Sequence, residues 1–106
     1  MKKAIKIGQV TIEDPVILAP MSGVSDLPFR RLVKKEGAGL VVSEMIASQA
    51  MIRANRKTLK MASNCAEEFP MAVQLAGCEP AVMAEAAKLN EDRGAAIIDI
   101  NMGCPV

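Results

Sequence analysis

The sequence predicts an α/β fold, the N-terminal half of a (β/α)₈ TIM barrel, with about four parallel strands, intervening helices and a short β-hairpin in front. Three observations predict it. Short apolar runs suited to strands buried on both faces recur along the chain as "VILAP", "GLVVSEM", "PMAVQLAG" and "AAIIDINMG". Between them lie stretches with helix start and stop signals, and strand alternating with helix is the pattern of right-handed βαβ crossovers. The polar and glycine-rich residues gather where the runs end, in "APMSG", "SEM", "QLAG" and "NMGCP", which parallel strands deliver to a single rim. In a barrel that rim holds the active site. No GxGxxG or GxxxxGK(S/T) is present, which disfavours a doubly wound dinucleotide fold or a P-loop.

Each element has its own local reason. "KAIKIGQVTIED" alternates around Gly8-Gln9 and reads as a hairpin, a lid or plug on the strands after it. After Pro15, "VILAP" is the first core strand. "SDLPFRRLVKKEG" is a helix with Ser25 or Asp26 as N-cap, Pro28 in its first turn, Phe29, Leu32 and Val33 on its apolar side, and Gly37 as its stop. "GLVVSEM" is the second strand and "SQAMIRANRKTLK" a helix capped by Ser48. "PMAVQLAG" is the third strand. "EPAVMAEAAKLNEDRG" is a helix with Pro80 at its first position, Val82, Ala86 and Leu89 on one face, and Gly94 beyond its end. "AAIIDINMG" is the fourth strand.

At 106 residues the chain has room for one small domain, and a complete barrel needs ~200 residues or more. The expectation is therefore a partial barrel over 1–106 that ends after the fourth strand. Hydrophobic residues make up 51% and charged residues 24%, which excludes a disordered chain. A net charge of +1 supplies no global attraction to nucleic acid or an anionic membrane. With no continuous apolar run of about 18 residues and no signal-peptide pattern, a cytoplasmic protein without a membrane partner is expected. Three cysteines, no histidine and no CxxC argue against a disulfide framework and a metal site.

Four kinds of residue stand out. Cys104 lies between Gly103 and Pro105 just past a strand, where a thiol can reach a ligand, although a free cysteine is more often a small buried apolar group. Asn101 offers an amide toward the same rim, or caps a turn. Gln74 sits within "MAVQLA", where an amide is costly to bury without a ligand or an internal partner. "APMSG" offers backbone groups, with Gly23 easing close approach. The basic runs Arg30, Arg31, Lys34, Lys35 and Arg53, Arg56, Lys57 read as solvated faces. The eight methionines read as core fillers, and Cys65 and Cys78 as incidental.

Taken in order, "LAPMSGVSDLPFRRL", "GAGLVVSEM", "VQLAG" and "DINMGCPV" resemble the tRNA-dihydrouridine synthases over residues 15 to 106. The resemblance implies an FMN-dependent TIM-barrel enzyme that reduces uridines of tRNA to 5,6-dihydrouridine with NADPH as reductant. It implies that Ala19, Pro20 and Met21 meet the flavin through backbone groups and that Gln74 hydrogen-bonds its ring. It further implies that Asn101 lies near flavin and substrate, and that Cys104 is the general acid protonating C5 of the uracil. A thiol with an ordinary pKa of about 8.5 is mostly protonated at neutral pH, which suits an acid. The family's second half-barrel, its flavin-phosphate site and its helical RNA-binding domain would lie beyond Val106. Two alternatives accompany this reading: another FMN barrel that acts on a free pyrimidine, and a catalytically inactive fragment that self-associates through exposed sheet edges.

Overall fold

Gly8 adopts φ +61°, a left-handed state natural to glycine, and turns β1 (Ile5–Ile7) into β2 (Val10–Ile12) as an antiparallel hairpin with Ile7 opposite Val10. The structure, a computed structural model, describes residues 3–48, 52 and 69–103. Most of the helix expected over 48–60 falls outside these residues, as do Arg53, Arg56, Lys57, Cys65 and Cys104.

Behind the hairpin, β3 (Ile17–Leu18), β4 (Leu40–Val42), β5 (Ile46–Ala47), β6 (Met71–Ala76) and β7 (Ile97–Ile100) form one parallel sheet. Strand β3 pairs with β4. Ala72 of β6 pairs with both Val42 and Ile97, and Leu75 with both Ile46 and Ile100, so β4 and β5 share one edge of β6 and β7 takes the other. Spatial order follows chain order without reversal. That is how a barrel wall is laid down, and the fold is the N-terminal half of a (β/α)₈ barrel.

The helices form where their end signals stand. Asp26 is the cap of α1 (Leu27–Lys35), its carboxylate accepting the Phe29 N–H at 3.0 Å, and Gly37 at φ +114° follows the last turn. Helix α2 (Pro80–Asp92) starts on Pro80 and is followed by Gly94 at φ +98°. Met83, Ala86 and Leu89 pack it against the sheet.

Period-two alternation splits the strand side chains between two cores. Val41, Ile46, Met71, Val73 and Leu75 face the helices with Val33, Ala86 and Leu89. Leu40, Val42, Ala72 and Ile97 face the other way and are covered by Ile12 of the hairpin, which is the plug the sequence suggested. Gly39 makes the fit possible. A Cβ there would lie 1.9 Å from the Asp14 carbonyl oxygen and 2.7 Å from Ile12 Cγ2, so only glycine lets the hairpin backbone descend this far.

Burial departs from expectation at three places. β4 and β6 are buried throughout, but Ile17 is 45% and Ile100 56% exposed, because β3 and β7 each pair on one side only among the described residues. On α1, Leu32 is exposed while Arg30 is fully buried, its Nη1 donating to the Ser25 carbonyl at 2.8 Å. The first basic run is thus only partly a solvated face. Lys34 is half-buried, with Nζ donating to the Gly39 carbonyl at 2.8 Å, and burial lowers its pKa below the usual lysine value against an opposing pull from Asp14. Among the described residues no helix is long and apolar enough to cross a membrane.

Candidate functional site at the strand C-termini

The site begins with an irregularity in the second strand. Between the pairs Val42↔Ala72 and Ile46↔Leu75, residues 43, 44 and 45 stand opposite only 73 and 74. This is a β-bulge, and the extra residue has two effects. It turns Ile46 to the helix side, where it joins the core, whereas an unbroken ladder would point it to the inner face. It also releases Ser43 and Glu44 for other work. The buried Ser43 hydroxyl accepts the Gln74 backbone N–H at 3.0 Å and donates to the Glu44 carbonyl at 3.0 Å, replacing the ladder acceptor that the bulge removes.

Glu44 reaches across to the loop after β3, where its Oε1 accepts the Gly23 N–H at 2.5 Å. Gly23 adopts φ +76°, and a Cβ there would meet no atom within 4 Å, so glycine is needed for its backbone state rather than for close approach. The same loop is tied at Met21. Its N–H donates to Ser25 Oγ at 2.8 Å and its carbonyl accepts from the Ser25 hydroxyl and from the N–H groups of Val24 and Ser25. Met21 thus spends its backbone groups on the turn.

On the neighbouring strands, register puts Gln74 directly opposite Asp99 on the inner face. Gln74 Nε2 donates to Asp99 Oδ2 at 2.6 Å, and Gln74 Oε1 accepts from Asn101 Nδ2 at 3.2 Å. Asn101 Oδ1 in turn accepts the N–H of Gly103, the residue before Cys104, at 2.9 Å. The internal network considered for Gln74 is therefore present. One Nε2–H of Gln74 remains beyond the bond to Asp99.

Pro20, Ser22, Met45, Gln74 and Asn101 line a cavity of about 250 Å³ at this rim. Three of the residues singled out in the sequence, Pro20, Gln74 and Asn101, are brought together there; Ala19 and Met21 flank the cavity in sequence without lining it. Sequence reasoning passed over Ser22, Met45, Glu44 and Asp99. Asp99 carried a usable signal, a charged residue in the apolar run "AIIDI", of the same kind that marked Gln74. The volume is a little under the ~300–1,000 Å³ of whole-ligand pockets, so it suits a flat ring rather than a nucleotide. Pro20 and Met45 offer apolar walls and the two amides a polar edge, a donor set that fits a heteroaromatic ring such as the isoalloxazine of FMN.

The chain is similar to known proteins over most of its length. The family model described as dihydrouridine synthase matches residues 17–106. A protein of Rickettsia bellii named "Probable tRNA-dihydrouridine synthase" is 64% identical over 102 residues, covering 95% of this chain and 31% of that protein. The proteins named tRNA-dihydrouridine synthase B of Xanthomonas campestris and Pseudomonas aeruginosa are 54% and 50% identical over 101 residues, again covering 95% of this chain and 30% of each of theirs. The chain spans about a third of the length of these curated relatives. With the match running from the first core strand through the NxGCP segment, the chain belongs to the dihydrouridine synthase family.

Proposed function

We propose that the protein containing this half-barrel reduces uridine in tRNA to 5,6-dihydrouridine, using FMN with NADPH as the source of electrons. The observation that carries the reading is the convergence of Pro20, Ser22, Met45, Gln74 and Asn101 on one rim cavity, inside a segment that matches the family model. Bound FMN would supply the hydride for C6 of the uracil. Ala19, Pro20 and Met21 would contact it through backbone groups, in a loop already tied by Ser25 and Glu44. Gln74 would give its remaining Nε2–H to a ring acceptor, and Asn101 would lie near ring and substrate. Cys104 would protonate C5 as general acid, at a position whose preceding residue is tied to Asn101.

Titration of the intact protein with FMN, followed by turnover on unmodified tRNA, tests the reading. We expect Cys104→Ala to retain the flavin spectrum and to lose roughly 10²–10⁴-fold in dihydrouridine formation, the usual contribution of a positioned acid. Full activity of that variant would remove Cys104 from the mechanism. Equal turnover of free uridine would favour the free-pyrimidine dehydrogenase reading.

A further inference from the structure

We infer that Asp99 is a positioning residue that sets the polarity of the amide groups at the cavity, and so determines which groups a bound ring and the segment before Cys104 meet; this deepens the flavin reading above and rests on it. Asp99 and Gln74 are direct partners in the β6–β7 ladder, and the bond between them is 2.6 Å. A carboxylate offers acceptors only, so Gln74 must turn its nitrogen toward Asp99 and its oxygen away. That choice propagates. Gln74 Oε1 then faces Asn101, which must answer with Nδ2 at 3.2 Å. Asn101 Oδ1 is left for the Gly103 N–H at 2.9 Å. Met45 Sδ, 3.3 Å from the same Asn101 nitrogen, is likewise an acceptor and reinforces the last choice.

An amide at position 99 would remove the carboxylate's share of the constraint, because asparagine pairs with either end of a glutamine, and would leave the Gly103 N–H and Met45 Sδ to hold the chain from its other end alone. The reversed chain sets the Asn101 nitrogen against the Gly103 N–H, donor facing donor, and withdraws the Gln74 N–H from the side of the ring. Below Gln74 and Asp99 the inner face carries Ala72 and Ile97, which offer the pair no polar partner, so on that side the carboxylate is what orients the Gln74 amide.

The test uses the intact protein with Asp99→Asn and Asp99→Ser, which both remove the acceptor-only group at this end of the chain, and Asp99→Glu, which keeps one. In flavin-free protein, the Gln74 side-chain amide and the Gly103 backbone amide should shift in ¹H–¹⁵N spectra of the first two variants, with Val41 and Ala86 unmoved. FMN should then bind about tenfold more weakly, as for one lost hydrogen bond, with a displaced visible flavin band. Asp99→Glu should recover the wild-type band. Unmoved Gln74 and Gly103 signals in whichever of Asp99→Asn and Asp99→Ser folds would overturn the inference, as would moved signals with unchanged affinity and band. A wild-type protein that binds no FMN would instead sink the flavin reading, and the flavin-free spectra would still decide whether Asp99 sets the polarity.

Discussion

Ser43 is fully buried, and its hydroxyl supplies the acceptor that a ladder carbonyl supplies elsewhere in the sheet. Ser43→Ala would leave the buried Gln74 N–H without that partner. The expected loss is about 1–3 kcal/mol, the desolvation cost of one unmade bond, measured by urea denaturation of the intact protein. A change within about 0.5 kcal/mol, typical of surface sites, would mean that the bulge finds another acceptor. A serine beside a glutamate carries no sign in the sequence that its own strand is bulged, so this role was not legible. Gln74 was legible because an amide inside an apolar run demands a partner. That the partner is Asp99 follows only from register, which the sequence leaves open until β6 and β7 are paired. Arg30 was misread for a similar reason: four basic residues crowd one helix, and no local signal marks the one whose Nη1 reaches the Ser25 carbonyl.

At the level of elements, hairpin and sheet meet at one point of near contact. Gly39→Ala would force a Cβ into the Asp14 carbonyl, which is backbone and cannot rotate aside. We expect a loss of about 1–3 kcal/mol, with the hairpin lifted and Ile12 losing its protection, read as a lower melting temperature and faster amide exchange in residues 5–12. An unchanged melting temperature would show that the hairpin does not seat on Gly39. The parallel strands and two helices were legible because their signals are local: apolar runs, Pro28 and Pro80 near helix starts, Gly37 and Gly94 after helix ends. The split of the second strand into β4 and β5 was not, since "GLVVSEMIA" reads as one continuous run. A bulge is a property of two strands counted against each other, and no single strand contains it.

At the scale of the whole molecule, β3 and β7 are the outer strands of the sheet among the described residues, with Val16, Ile17 and Ile100 exposed there. Residues 1–106 expressed alone should therefore associate. Static light scattering should give a mass above the 11.3 kDa of one chain, and a sharp monomer with cooperative thermal unfolding would refute this. The architecture was legible at this scale because chain order and spatial order coincide. The surplus residue in the second strand also bears on how such walls can be recombined. Shortening that segment by one would rotate Ile46 out of the helix packing and carry the Glu44 carboxylate off the neighbouring turn in the same step. Chimeras between members of this family are thus better joined within α1 or α2 than anywhere between Ser43 and Met45, where a length mismatch cannot be absorbed by sliding.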